Sequence, residues 1–357
     1  MWPDRRLLDL IGIEVPIIQA PMAGASGSAM AIAVSEAGGL GSLPCALLDA
    51  PKVRAEMGVI RQRTSRPVNV NFFCHVPAKP DPGREAAWKE RLGRYYTELG
   101  LDPSASIPSV IRSPFDDAMC EIIEELKPKV VSFHFGLPAS ALLTRVKVAG
   151  CLVLSSATTV EEARWLEANG CDAIIAQGYE AGGHRGMFLT DKVATQVGTF
   201  ALVPQVADAV KVPVIAAGGV ADGRGIAAAF ALGAAGVQIG TAYLFTPESL
   251  ITDLHRKALH TAPADGTALT NVFTGRPARG IMNRLMQEVG PISDTAPAFP
   301  TAGSALAPLK AKAEAAGSTD FSLLLSGQAA GLCHDITSRD LTLHLAEDAR
   351  RRLKSLA

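Results

Sequence analysis

No CxxC pair occurs among the six cysteines, at positions 45, 74, 120, 151, 171 and 333, so neither a zinc ribbon nor a dithiol redox motif is written into the chain. The start, MWPDRRLLDL, holds no long apolar core and no small-residue cleavage site, and the sequence therefore predicts a reducing, cytoplasmic setting. Neither sign of charge is in excess. Lys plus Arg (34) balances Asp plus Glu (35) and no basic stripe interleaves with aromatics, which argues against a nucleic-acid footprint. Metal chemistry has no foothold either: Cys74 and His75 are adjacent and would point to opposite faces of an extended segment, and no HxH, HExxH or carboxylate cluster sits on the functional strand ends. A GxGxxG in strand-turn-helix context is also missing, which disfavours a dinucleotide on a doubly wound sheet. Residues 225–245 carry no charge over a length that could span a bilayer. Four glycines, Gln238 and Thr241 interrupt that stretch, so it reads as a buried helix and strand and no membrane span is expected. What these exclusions leave as a partner is a small molecule. No feature specifies an oligomeric state.

What is present is a rhythm. In 357 residues, 48% of them hydrophobic, short apolar runs ending in Gly, Pro or polar residues recur at 15–20, 40–44, 68–73, 130–135, 152–157, 173–178, 212–219 and 236–243. Helical patterns separate most of them, several closing on a glycine suited to a helix C-terminus. Strict alternation implies parallel crossovers, and eight units imply an α/β fold, a closed (β/α)8 TIM barrel. Two insertions exceed the minimal barrel, after the third and eighth strands. Residues 74–114 are proline-rich and contain WKERLGRYYTEL, and residues 246–324 form a subdomain over the substrate site, leaving 1–245 and 325–357 for the barrel.

Side chains alternate along a strand, so VVSFHF places Val131, Phe133 and Phe135 toward the helices and Val130, Ser132 and His134 inward. The same parity sends Val68, Val70 and Phe72 outward, Asn69 and Asn71 inward, and Gln177 opposite to Ile174. His134, Asn71, Gln177 and Gln238 then converge near the C-terminal strand ends, where barrel enzymes keep their active sites. A layer filled for stability alone would favour branched aliphatics. After the seventh and eighth strands come AAGGVADGRG (216–225) and QIGTAYLF (238–245), glycines that let backbone N–H groups approach a phosphate, followed by a short helix whose N-terminus favours negative charge. After the sixth strand, AQGYEAGGHRG (176–186) predicts a glycine-dense loop that approaches a flat ligand and leaves His184 and Arg185 at the rim.

Four segments, PIIQAPMAG (16–24), NVNFFCH (69–75), VVSFHFGLP (130–138) and AQGYEAGGHRG (176–186), together resemble the signatures of class I nitronate monooxygenases, formerly called 2-nitropropane dioxygenases. The likeness runs from Leu7 to His344. It implies an FMN-dependent enzyme that oxidises alkyl nitronates such as propionate 3-nitronate with O2. Carried over by position, Ala20, Pro21 and Met22 line the flavin, Asn71 and Gln177 contact its ring or ribityl chain, and Gly182 approaches it. Gly219, Gln238, Gly240 and Thr241 hold the phosphate, Gly183, Gly218 and Ile239 complete the cofactor-binding set, and His134 is the catalytic histidine. A flavin-dependent NAD(P)H enoyl-thioester reductase, or a related quinone reductase, is the alternative on the same fold. One departure concerns the substrate pocket: the tyrosines expected after the eighth strand are missing, and residues 290–308 offer Phe299.

Overall fold

Each of the eight apolar runs becomes a strand. The computed structural model describes residues 2–105 and 112–356, so residues 106–111 of the third-unit insertion lie outside the described residues. The strands are β1 (Ile17–Gln19), β2 (Gly41–Pro44), β3 (Val68–Phe73), β4 (Val130–His134), β5 (Leu152–Ala157), β6 (Ala173–Gln177), β7 (Gly183–His184), β8 (Val214–Ala217), β9 (Gly236–Ile239), β10 (Thr267–Thr270) and β11 (Ala278–Ile281). Eight of them pair in parallel in the order β1-β9-β8-β6-β5-β4-β3-β2. A parallel bridge between Ile18 and Leu40 joins β1 to the start of β2 and closes the circle. The protein is a (β/α)8 barrel.

Local chemistry sets the rhythm. Asp49, Asp116, Thr159 and Asp222 each accept a backbone N–H of the first helical turn, satisfying donors that would otherwise be orphaned. At the other ends, Gly150 and Gly170 (φ 86° and 92°) take the left-handed conformation that lets the chain turn into the next strand. The charge-free stretch 225–245 resolves into most of the helix Gly223–Ala231, strand β9 and the short helix Thr241–Leu244. Among the described residues, no helix is long and apolar enough to cross a membrane. The C-terminal helix Ser338–Leu356 packs on the helices Gly223–Ala231 and Ser28–Glu36. It is anchored by Asp348, whose Oδ2 accepts the Gly223 N–H at 3.1 Å.

The sequence did not disclose the second sheet. Strands β10, β11 and β7 form a three-stranded antiparallel sheet, in which Ala278 pairs with His184 and Arg279 with Gly183. The glycine-dense loop is thus tied down by residues almost a hundred positions away. Both insertions also share one core: Trp88, Leu92, Tyr95 and Tyr96 from the helix Pro82–Glu98 pack with Val272, Phe273, Leu285, Leu309 and Phe321. Trp88 Nε1 donates to the Ala302 carbonyl at 3.1 Å, and the Tyr96 hydroxyl donates to that of Ala305 at 2.6 Å. The only tyrosines of the third-unit insertion are therefore structural.

Candidate active site

Register builds the site. Asn71 lies opposite Ser132 and Phe73 opposite His134 across β3 and β4, Gln177 opposite Ala217 across β6 and β8, and Ala217 opposite Gln238 across β8 and β9. These positions form one layer at the C-terminal strand ends and open on a cavity of about 560 Å³. Of the residues expected in the site, His134, Ala20, Pro21, Met22, Asn71, Gln177, Gly182, Gly183, Gly218, Gly219, Gln238, Gly240 and Thr241 all line it. Ile239 does not. Strand alternation turns its side chain away from the cavity, into the core, where it is buried.

One wall is made of aromatic and imidazole rings. His134 Nε2–H donates to the His184 carbonyl and the Ser156 hydroxyl donates to Nδ1, each at 3.1 Å. These partners fix the neutral tautomer with the proton on Nε2. Burial, reinforced by the nearby Arg276 and Arg185, pushes the His134 pKa down to about 4 against the hydrogen bond to His184, which favours the charged form. Burial also takes His184 down to about 3 and lowers His75. At neutral pH all three imidazoles are uncharged. Gln177 clamps the loop above them: its Nε2 donates to the same His184 carbonyl at 2.9 Å and its Oε1 accepts Gly186 N–H at 2.7 Å.

Two expectations for this wall need correction. Arg185 is not at the rim. It is fully buried, its guanidinium donating to the carbonyls of Gln177 and Gly178 and to Gln196 Oε1, because the β7–β11 pairing turns it under the loop. His184, in contrast, faces the cavity. Phe135 does not continue the outward face of β4 either. The strand ends at His134, and a positive φ of 72° at Phe135 swings its ring to 4.4 Å from His134 and 6.0 Å from His184.

The other wall is backbone. Gly218 and Gly219 have φ of 108° and 72°, conformations a side chain rarely adopts. Next to them, Gly240 precedes the short helix that starts at Thr241. Beside this cradle, Gln238 Oε1 is buried with no hydrogen-bond partner among the described residues, an arrangement disfavoured unless a ligand supplies a donor. Gly182 also lines the cavity, but a Cβ there would sit 2.5 Å from the Gly327 nitrogen. Its lack of a side chain is required by the neighbouring backbone. Phe73, Ser156, Glu180 and Arg112 join the lining without having been singled out. Strand parity could have found Phe73 and Ser156, which share the inward faces of Asn71 and Leu154.

Rings of fixed hydrogen bonding facing a bare glycine cradle at the C-terminal end of a (β/α)8 barrel define a barrel enzyme with one large ligand site. A model of the nitronate monooxygenase family matches residues 4–348, and the chain belongs to that family of oxidoreductases. It is 42% identical over 347 residues to a nitronate monooxygenase of Pseudomonas aeruginosa, covering 97% of this chain and 99% of that one. Among solved structures, nitroalkane oxidase from Streptomyces ansochromogenes matches with a TM-score of 0.87 at 37% identity, covering 99% of this chain and 100% of that one. FabK from Thermotoga maritima matches with a TM-score of 0.75 at 29% identity, covering 100% of this chain and 99% of that one.

Proposed function

We propose that the chain is an FMN-dependent nitronate monooxygenase that oxidises alkyl nitronates, such as propionate 3-nitronate, with O2 to a carbonyl product and nitrite. The observation that carries this reading is the meeting, in one cavity of a family member, of a glycine cradle with an unpartnered Gln238 Oε1 and a wall bearing His134. The residues present fit a phosphorylated flavin: Gly218, Gly219, Gly240 and Thr241 would receive the phosphate, Ala20, Pro21, Met22, Asn71 and Gln177 would meet the rest, and Gln238, expected at the phosphate, would instead accept from a ligand donor through Oε1. When bound, the flavin supplies the electron acceptor that protein side chains lack.

The chain's own residues bind, orient and move a proton. A neutral His134 does not repel a cationic partner or bind an anion by charge; it is suited to take an α-proton from a neutral nitroalkane once the Ser156 hydroxyl turns from Nδ1. Gln177 and the His184 carbonyl hold the ring in place. Phe73, Phe135 and Phe299 pack around the imidazoles and limit the water that reaches them. The test is the purified protein's visible spectrum and its turnover. A yellow protein that releases FMN on acid treatment, and that consumes O2 and forms nitrite from propionate 3-nitronate, supports the proposal. A colourless protein from riboflavin-replete cells, or one that releases FAD, contradicts it.

A further inference from the structure

Four arginines surround the imidazole wall, and their partners differ. Arg185 is saturated by carbonyls and Gln196, and Arg279 donates to the carbonyls of Tyr179 and Thr267. Arg276 donates to the Met187 carbonyl and lies 3.9 Å over the Phe135 ring. Neither Arg185, Arg276 nor Arg279 lines the cavity. Arg112 does. Among the described residues its guanidinium has no hydrogen bond and no ion pair, and its Cζ lies 5.7 Å from the centre of the Phe299 ring. Only its backbone is tied, the carbonyl accepting the His75 Nε2–H at 3.0 Å.

A half-buried cation without a counter-charge is disfavoured, and a guanidinium fork matches planar pairs of oxygens. No other charge on this wall competes for an anion, since His75, His134 and His184 are neutral at physiological pH. The cavity's lysine, Lys310, already has Glu314 at 3.8 Å. Rings connect Arg112 to His134 across the same wall: Phe299 is 6.4 Å from Phe73, and Phe73 is 5.9 Å from His134. Arg112, Phe73, His184 and His134 line one cavity, so a small molecule bound there can meet Arg112 and His134 together.

We propose that Arg112 is a specificity-determining residue that receives a planar two-oxygen anion of the substrate, the nitronate group or a carboxylate on the same molecule. The proposal rests on the nitronate-oxidising reading above. It explains why this position tolerates an unpaired cation: the partner arrives with the substrate.

The test compares the full chain as purified with Arg112→Met and Arg112→Lys. Kinetics on propyl-1-nitronate and propionate 3-nitronate are combined with calorimetric binding of 1-nitropropane, butyrate and succinate, the last two being unreactive one- and two-anion analogues. Arg112→Met is expected to raise KM by roughly 10- to 100-fold, the worth of a charge-assisted hydrogen-bonded pair. Affinity for uncharged 1-nitropropane stays nearly unchanged, and Tm holds or rises because an unpaired charge has left a half-buried site. Arg112→Lys keeps the charge without the fork and recovers part of the loss. Loss on both nitronates and on butyrate places the fork on the reacting group's oxygens; loss confined to propionate 3-nitronate and succinate places it on the carboxylate. Unchanged KM on both nitronates with unchanged succinate and butyrate binding overturns the inference. So does an equal loss on 1-nitropropane with a lowered Tm, which marks a structural arginine. Absence of nitronate turnover in the unmodified chain would instead contradict the proposed function, and the two carboxylates would still read Arg112 independently.

Discussion

The two walls of the cavity are built on opposite principles. On the imidazole wall the polar side chains around the reacting position are held by other groups, His134 by Ser156 and the His184 carbonyl, Gln177 by His184 and Gly186, Asn71 by Ser132, with Arg112 the exception. On the glycine wall the cradle positions carry no side chains, and Gln238 Oε1 has no partner among the described residues. A saturated wall is rigid before a ligand arrives and can orient a reaction; a bare one is complete only when something large occupies it. The difference separates His134, proposed for chemistry, from the glycines and Gln238, proposed for cofactor retention, and substitutions at the two should fail in different ways.

The largest effect is expected at His134. His134→Asn should slow oxidation of neutral nitroalkanes by roughly 10²–10⁴-fold, the usual worth of a positioned general base, while preformed nitronates, already deprotonated, lose far less. Parallel rate assays on 1-nitropropane and its nitronate check this, and equal losses would reassign His134 to binding.

Next comes a contrast between two glycines of the same cavity. Gly182→Val should destabilise the protein by roughly 2–4 kcal/mol whether or not flavin is bound, because its Cβ would strike the Ser326–Gly327 backbone. Gly240→Val should spare the flavin-free protein and lower flavin occupancy, since the nearest atoms to a Cβ there are Ala20 Cβ at 3.5 Å and Met22 Sδ at 3.8 Å, ordinary contacts on the side where the ligand would lie. Melting of flavin-free and reconstituted forms, with flavin content, distinguishes the pair; similar behaviour in both would erase the distinction between packing and cradle glycines.

The smallest effect is on pH. His134 and His184 have folded pKa values of about 4 and about 3, below the ordinary 6.5. The unfolded chain therefore binds more protons between these values, and stability falls as pH drops from about 6.5 toward about 4. His134→Asn should flatten the fall of Tm over that window. A slope unchanged in the variant would mean that His134 takes up its proton equally in the folded and unfolded chain, and that burial does not hold it neutral.

Much of this contrast was legible in the sequence. Eight apolar runs gave the barrel because parallel strands buried on both sides read as unbroken hydrophobic stretches, and parity along β3, β4 and β6 brought Asn71, His134 and Gln177 to one end. Phe135 escaped because parity holds only while the backbone is extended, and the chain leaves the strand there. Arg185 escaped because its burial depends on β11, a strand of four residues whose pairing with β7 spans almost a hundred positions and leaves no local period. Arg112 is invisible for another reason: what distinguishes it is the lack of a side-chain partner among the described residues, and only the assembled wall reveals that.

The central claim, that the glycine wall holds a flavin which the imidazole wall exposes to nitronates and not to nicotinamides, is tested most directly by anaerobic rapid mixing. The purified protein is mixed separately with propionate 3-nitronate, NADH and NADPH while the visible absorbance of its flavin is followed. The account predicts a fast loss of absorbance with the nitronate and none at a useful rate with either nicotinamide; rapid bleaching by NADH or NADPH with no response to the nitronate would contradict it and point to a reductase.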